Sequence, residues 1–127
     1  MNEIQFTLND FTEGQRKIGV VGLGYVGLPL LLSFEKHFSM IGFDISEKKI
    51  VDLKAGIDDT NEVGNHRVCE SKSLFTSSAK DLAQCDFIIV AVPTPIDDAK
   101  TPNLDPVIGA TEAIAQNLKK GAVLVYE

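Results

Sequence analysis

The sequence predicts an α/β fold in which a doubly wound parallel sheet carries helices on both faces. Strand-like and helix-like segments alternate along the chain, the strand-like runs are apolar throughout, and the first of them leads into a glycine-rich turn. Strands that helices cover on both sides read as continuous apolar runs. The 127 residues suffice for one domain with its own core.

The first strand, residues 18–21, ends in a turn that contains three glycines. The turn reads Gly22-Leu23-Gly24-Tyr25-Val26-Gly27, which is the spacing of a dinucleotide-binding motif. Its glycines let the backbone turn tightly, approach a pyrophosphate and pack the next helix against the strand. Unpartnered amides and aligned peptide dipoles at the start of that helix favour an anion. The turn therefore predicts a pyrophosphate site.

The next two segments stand in the order that a dinucleotide-binding unit requires. Residues 28–34 are an apolar helical stretch in a helix expected to run to about His37, and Pro29 falls in its first turn, where a missing N–H removes no helical hydrogen bond. Residues 40–44 then read as a second buried strand. Strand, turn, helix and strand follow one another as in a βαβ unit.

Asp44, at the end of the second strand, is the candidate ribose ligand. It lies 20 residues after Gly24 (44 − 24 = 20), the separation at which a carboxylate accepts hydrogen bonds from the adenosine ribose. The alternative is a helix N-cap or a solvated acid, and Ser46 is the better candidate for the cap. A carboxylate repels a 2′-phosphate and so favours NAD over NADP, although Lys48 and Lys49 lie close enough to leave NADP open.

A polar excursion interrupts the alternation in the middle of the chain. A helix over residues 46–55 is followed by the excursion, residues 56–72, which precedes a short strand, Leu74–Thr76. Excursions of this length inside compact domains tend to carry function. Ser78 is then expected to cap a short helix that runs through Leu82.

The fourth strand, residues 86–92, is the most strand-like run and is expected inside the sheet. Right-handed crossovers place the first and fourth strands side by side, and the crevice beyond their carboxyl ends is where such folds bind ligands. Two prolines end the strand abruptly, and the alternative is that they form a rigid exit without a ligand role. The candidate cofactor contacts in this exit are Val92, Pro93, Thr94, Pro95 and Ile96.

A helix that starts at Asp105 and runs to about Lys120 leads into a fifth strand, residues 122–126. Rossmann-type dinucleotide-binding folds usually have six strands, so five predict a sheet truncated before it is complete. The predicted domains are an N-terminal arm, residues 1–16, and an NAD-binding domain, residues 17–127.

Composition and charge argue against several functions. The formal net charge of −6 disfavours nucleic acid and anionic membranes as partners, and no stretch is long and apolar enough to cross a bilayer. Cys69 and Cys85 are interpreted as free thiols of a cytoplasmic protein. His37 and His66 are expected at the surface or in loops, and no cluster has the spacing of metal ligands.

With these segments placed, the chain resembles the N-terminal part of the nucleotide-sugar 6-dehydrogenases, the group that includes UDP-glucose and GDP-mannose dehydrogenases. The marks of this resemblance are the stretches Gly22-Leu23-Gly24-Tyr25-Val26-Gly27-Leu28-Pro29, Gly42-Phe43-Asp44-Ile45 and Val92-Pro93-Thr94-Pro95. Residues 56–63 and 93–97 further resemble the branch that acts on UDP-N-acetylhexosamines.

The resemblance implies oxidation of a sugar C6 alcohol to a carboxylate, with two NAD reduced and an essential cysteine that carries a thiohemiacetal and then a thioester. Neither Cys69 nor Cys85 matches that cysteine. The family's catalytic residues and most of its UDP-sugar site lie later in the chain, so no catalytic residue is assigned and the fragment itself is expected to be inactive.

The resemblance also assigns cofactor contacts. The backbone of residues 22–27 would meet the pyrophosphate, Asp44 the adenosine ribose, and residues 92–96 the nucleotide. Lys49 would also reach the ribose, because the family has a basic residue five positions after the acid (49 − 44 = 5). Otherwise Lys49 is a solvated helix lysine like Lys48.

Two other functions stay open at this point: a stand-alone module that senses NAD or another nucleotide, and an NAD-dependent dehydrogenase of the β-hydroxyacid type. A fifth strand at the edge of the sheet would expose unpaired backbone and apolar surface, which predicts a homo-oligomer.

Overall fold

The structure, a computed structural model, describes residues 8–13 and 16–127. In chain order its elements are helix α1 (Leu8–Thr12), strand β1 (Lys17–Val21), helix α2 (Gly27–Phe34), strand β2 (Ser39–Phe43), helix α3 (Glu47–Lys54), helix α4 (Asn65–Cys69), strand β3 (Leu74–Thr76), a 3-10 helix (Ala79–Gln84), strand β4 (Phe87–Val90), helix α5 (Asp105–Asn117) and strand β5 (Val123–Tyr126).

The strands form one parallel sheet in the order β3-β2-β1-β4-β5. β1 lies between β2 and β4, as the crossover rule predicts, and its Val21 stands level with Phe43 and Val90. The carboxyl ends of these three strands therefore reach the same edge of the sheet. The predicted Rossmann-type architecture is confirmed.

Two buried clusters cover the two faces of the sheet. One cluster packs helices α2, α3 and α4 against the strands through Leu31, Ile50 and Val68. The other packs the 3-10 helix and α5 against the opposite face through Leu82 and Ile114. The strands are apolar throughout because each of their faces has its own helical layer.

Part of the N-terminal arm is helical and packs on its own domain. Phe11 of α1 meets Phe87 edge to face with 6.5 Å between the ring centroids. Leu8 is exposed, and the arm's other apolar residues, Ile4 and Phe6, lie outside the described residues.

Some boundaries differ from the prediction. Helix α5 ends at Asn117 rather than near Lys120, because Leu118 is extended (ψ 126°), and Lys119 is thereby free to pair with Asp86. The second helix ends at Phe34 instead of residue 37, although the amide of Phe38 still donates to the Phe34 carbonyl at 2.9 Å.

Two local predictions were incomplete or wrong. The excursion contains helix α4, which forms because its Val68 packs into the core. Ser78 precedes the 3-10 helix, but its hydroxyl makes no cap hydrogen bond. Instead the Ser78 carbonyl accepts the amide of Asp81 at 3.1 Å.

Candidate functional site

A cleft of about 650 Å³ opens at the carboxyl ends of β1 and β4. Its walls come from the glycine turn, the end of β2 with the start of α3, the exit of β4, and α5. The lining residues are Val21, Gly22, Gly24, Tyr25, Val26, Phe43, Asp44, Ile45, Lys49, Thr60, Ala91, Val92, Pro93, Asp105, Pro106, Gly109, Ala110 and Ala113. The sequence predicted a ligand site at this edge of the sheet.

The three glycines of the turn have different surroundings. Gly22 has φ +97°, and a Cβ on it would stand 2.9 Å from the Ala91 carbonyl oxygen. A Cβ on Gly27 would stand 1.7 Å from the Gly22 carbonyl oxygen, so only glycine lets α2 pack this closely on the turn. A Cβ on Gly24 would meet nothing within 4 Å. Gly24 lines the cleft, and the open space beside it is the cradle that a pyrophosphate needs.

At the start of α2 two backbone amides already have partners within the turn. The amide of Leu28 donates to the Gly24 carbonyl and that of Leu30 to the Val26 carbonyl, each at 3.2 Å, so only the amides before Leu28 are candidates for an anion. Val26, the N-cap residue, provides no side-chain cap. The first amides of a helix lack partners within it, and here no capping side chain competes with an anion for them.

Asp44 links the glycine turn to the start of α3. Its Oδ2 accepts the amide of Leu23 at 2.9 Å, and its Oδ1 accepts the amide of Ser46 at 2.9 Å. Each carboxylate oxygen has two lone pairs, so two acceptor positions remain for ribose hydroxyls. As predicted, Ser46 caps α3, with its Oγ accepting the amide of Lys49 at 3.2 Å.

Lys49 is not a solvated helix lysine. Its side chain is 17% exposed and its Nζ pairs with Asp59 Oδ1 at 2.9 Å. The neighbouring Lys48 side chain is 81% exposed and pairs with Asp52 one turn further along α3. Lys49 lines the cleft and Lys48 does not.

The loop that carries Asp59 is organised around the buried carboxylate of Asp58. Its Oδ1 accepts the Thr60 hydroxyl at 2.6 Å and the Thr60 amide at 3.0 Å, and its Oδ2 accepts the amides of Val63 and Gly64. Burial alone would raise the pKa of Asp58, but these hydrogen bonds outweigh it and lower the pKa to about 2. Thr60 is thereby fixed in the cleft wall.

The structure gathers most of the predicted contacts and leaves some outside the cleft lining. Those on the cleft are Gly22, Gly24, Tyr25, Val26, Asp44, Lys49, Val92 and Pro93. Leu23 is fully buried and contributes its amide to Asp44, and Gly27 is buried in the turn.

The other three, Thr94, Pro95 and Ile96, are exposed. They enter a hairpin in which Ile96 pairs with Pro102 and the amide of Asn103 donates to the Pro95 carbonyl at 2.7 Å. The strand exit therefore leaves the cleft lining after Pro93, which the sequence did not indicate.

Sequence reasoning missed the wall that α5 provides. Gly109, Ala110 and Ala113 present a small-residue face to the cleft, and Asp105 with Pro106 stands at its mouth. The spacing of four between Gly109 and Ala113 was the available signal, because small residues one turn apart let a helix approach a ligand. Thr60 was also missed, since only the fold of the excursion brings it to the cleft.

At the opposite edge of the sheet lies Asp86, which precedes β4. Its Oδ1 is 2.9 Å from both Arg16 Nη1 and Lys119 Nζ, and its side chain is 3% exposed. Burial would raise the pKa of Asp86, but the hydrogen bonds from Lys119 and Arg16 hold it below its usual range. This arrangement connects the residue before β1, Arg16, and the segment before β5, Lys119, to the residue that precedes β4.

Both cysteines are free, as predicted. Cys85 is fully buried, and burial, then the charge of Asp86, raise the pKa of its thiol to about 12. Cys69 is exposed. His37 and His66 lie at the surface, and within residues 8–13 and 16–127 no group of three or more His, Cys, Asp or Glu is placed to hold a metal ion.

Similarity to known proteins agrees with this geometry. Residues 16–127 match the model of the UDP-glucose/GDP-mannose dehydrogenase family, NAD binding domain. The chain is 48% identical over 112 residues to a UDP-N-acetyl-D-glucosamine 6-dehydrogenase from Pseudomonas aeruginosa, covering 87% of this chain and 26% of that protein. It is 46% identical over 112 residues to Protein CapL from Staphylococcus aureus, covering 88% of this chain and 26% of that protein.

A solved structure is similar over the same region. A UDP-D-ManNAc dehydrogenase from Pyrococcus horikoshii superposes with a TM-score of 0.80 at 28% identity, covering 87% of this chain and 28% of that one. The chain thus spans about a quarter of the length of the relatives it matches. No helix among the described residues is long and apolar enough to span a membrane.

Proposed function

The chain belongs to the UDP-glucose/GDP-mannose dehydrogenase family and forms its NAD-binding domain, and on this premise we propose that the cleft at the carboxyl ends of β1 and β4 is where NAD binds. One observation carries the proposal. Asp44 accepts the amide of Leu23 while keeping acceptor capacity toward the cleft, so the ribose acid and the glycine turn form one unit.

Each part of the cleft has a role in holding NAD. The open space at Gly24 and the backbone amides that precede Leu28 receive the pyrophosphate, and Asp44 receives the adenosine ribose hydroxyls. Apolar walls from Val92, Pro93 and the small-residue face of α5 exclude water from the nucleotide. Bound NAD supplies the hydride acceptor, and the residues of this chain bind and orient it.

The remaining predicted contacts belong to the same proposal. Leu23 and Gly27 act through the backbone of the turn, and Tyr25 and Val26 flank its open side. Thr94, Pro95 and Ile96 remain candidates for the outer rim, where the hairpin stands beside Pro93.

For the whole protein we propose a UDP-N-acetylhexosamine 6-dehydrogenase that oxidises the sugar C6 alcohol to a carboxylate with two NAD. The names of the relatives at 48% and 33% identity, a UDP-N-acetyl-D-glucosamine 6-dehydrogenase and a UDP-N-acetyl-D-mannosamine dehydrogenase, support this substrate class over a β-hydroxyacid. We assign no catalytic residue to this chain and place the protein in the cytoplasm.

We also propose that this chain forms homo-oligomers. The support is the edge strand β5, which pairs only with β4 among the described residues and leaves Val123, Val125 and Tyr126 at least 40% exposed. Light scattering of the 127-residue chain should show a dimer or larger species, and a monomer at high concentration would contradict this.

Calorimetric titration of the full-length protein with NAD tests the site. We expect saturable binding that Gly24→Ala weakens at least about tenfold, because the methyl group fills the cradle, while the thermal midpoint stays near that of the original protein. Equal affinity in the variant would remove the pyrophosphate from this turn. A folded protein that gave no heat with NAD would contradict the cofactor site itself.

A second experiment, which compares two classes of ligand, tests the substrate class. Thermal-shift measurements on the full-length protein should show stabilisation by UDP-N-acetylhexosamines and none by small β-hydroxyacids. Stabilisation by the β-hydroxyacids alone would favour a β-hydroxyacid dehydrogenase over a nucleotide-sugar dehydrogenase.

A further inference from the structure

The lysine that lines the cleft together with the proposed ribose acid already has an anionic partner. Lys49 lines the cleft with Asp44, and its Nζ lies 2.9 Å from Asp59 Oδ1. The Lys49 side chain is 17% exposed and that of Asp59 is 37% exposed, so the pair is partly shielded from water. A cation in this position is otherwise well suited to bind a phosphate.

The loop holds Asp59 in this position. Asp58 is 6% exposed and accepts hydrogen bonds from the residues on both sides of the turn, while its amide donates to Asn65 Oδ1 at 2.8 Å. Thr60, the residue after Asp59, stands in the cleft wall. Asp59 therefore lies between two residues, Asp58 and Thr60, whose positions are fixed by hydrogen bonds. The backbone of the loop thus holds Asp59 where it can pair with Lys49.

The charges of these three side chains decide what the ribose end can accept. Lys49 contributes one positive charge, while Asp44 and Asp59 contribute two negative ones, so the sum is −1. A 2′-phosphate carries about −1.5 to −2 at neutral pH, as phosphate monoesters do. It would meet a net negative surface whose cation is already engaged, whereas a ribose hydroxyl is neutral and can donate to Asp44.

We propose that Asp59 is a specificity-determining residue that, by engaging Lys49, prevents this lysine from binding a 2′-phosphate and so favours NAD over NADP. This inference rests on the proposed NAD site and adds to it a second acid besides Asp44. The lysines that left NADP open in the sequence then fall into two classes. Lys48 lies outside the cleft, and Lys49 lies inside it but is neutralised.

The test compares the affinities of the full-length protein for NAD and NADP in low-salt buffer, measured by calorimetry. Asp59→Asn should raise the ratio of NADP affinity to NAD affinity about twofold to fivefold, because a partly exposed charge pair contributes about 0.4 to 1 kcal/mol. Adding Lys49→Gln to this variant should remove the gain, since no free cation remains. The gain should also shrink at high salt.

Asp52→Asn is the matched control. It removes the same kind of partner from Lys48, on the same helix and 2.8 Å from its Nζ, but outside the cleft. We expect its affinity ratio to equal that of the original protein. Should Asp59→Asn fail to fold, as judged by its thermal midpoint, Asp59→Ser carries the same test.

The possible outcomes distinguish failure of the proposed role of Asp59 from failure of the proposed NAD site. An unchanged ratio in folded Asp59→Asn that still binds NAD overturns the inference, as does an equal loss of both affinities, which would mean that Asp59 only orders the loop. A similar rise in Asp52→Asn also overturns it, because the effect would then be general electrostatics. If the original protein binds neither nucleotide, the proposed NAD site fails instead.

Discussion

Two aspartates, one at the amino ends and one at the carboxyl ends of the strands, differ in the groups that surround their carboxylates. Asp86, before β4, is 3% exposed and contacts two cations, Arg16 and Lys119, both from outside the sheet. Asp44, after β2, is half-buried on a cleft and accepts two backbone amides. A buried charge must be compensated within the protein, whereas a charge on a cleft keeps acceptor positions for a ligand. The set of partners, more than the residue type, separates a stabilising aspartate from a binding one.

The largest expected effect is on stability at Asp86. Asp86→Asn keeps the shape and removes the charge that Arg16 and Lys119 compensate, and it should lower the free energy of unfolding by about 3 kcal/mol. Urea denaturation measures this change. NAD affinity of the folded variant should equal that of the original protein, and a direct loss of affinity would break the distinction between the two edges.

Asp58 sharpens the distinction because it lies at the same edge as Asp44 but has a complete set of partners. Its pKa falls from 3.8 to about 2 on folding, so it stabilises the protein fully above about pH 4 and loses this contribution as the pH falls toward 2. The difference in unfolding free energy between the original protein and Asp58→Asn should shrink by about 2 kcal/mol from pH 5 to pH 2. Urea titrations at both values check it, and a constant difference would contradict it.

Asp44 should show the converse of Asp86. Asp44→Asn retains one carbonyl acceptor for the two backbone amides and loses the charge, and we expect NAD affinity to fall about tenfold with a loss of unfolding free energy of about 1 to 2 kcal/mol. Calorimetry and urea denaturation of the same samples measure both quantities. A loss of stability as large as that at Asp86 would mean that Asp44 is a structural residue.

The two cysteines give the smallest energetic effect and the simplest observation. Iodoacetamide at pH 8 should modify Cys69 within minutes and leave Cys85 unmodified until the protein unfolds, because the Cys85 thiol is buried beside Asp86 with a pKa of about 12. Mass spectrometry of peptides identifies the modified residue. Modification of Cys85 in the native state would show that the amino-terminal edge of the sheet opens readily.

Local patterns were sufficient to predict the sheet and to bring together the first half of the candidate site. The strand, the glycine turn and Asp44 lie within a single βαβ unit, so their spacing in sequence determines their spacing in space. The pairing of β1 with β4 followed from the handedness of crossovers.

The rest of the site depends on contacts that no local pattern encodes. Asp59 meets Lys49 only because the carboxylate of Asp58 folds the excursion back on itself. The course of the β4 exit likewise depends on the hairpin that pairs Ile96 with Pro102. Pro93 and Pro95 are compatible with either a cleft wall or an exposed loop, so they did not predict this hairpin. Gly109 and Ala113 line the cleft because α5 packs on the sheet through Ile114.

The strand order also has a consequence for synthesis. Ile18 of β1 pairs with Phe87 of β4, which lies 69 residues later in the chain (87 − 18 = 69). At about 5 to 20 residues per second, the ribosome takes roughly 3 to 14 s to make that segment, and during this time the central strand has a neighbour on one side only. Strand β1, which is central in the finished sheet, is thus an unpaired and aggregation-prone edge strand while the chain is being made. Nascent-chain chaperones should therefore engage residues 18–21 before β4 emerges.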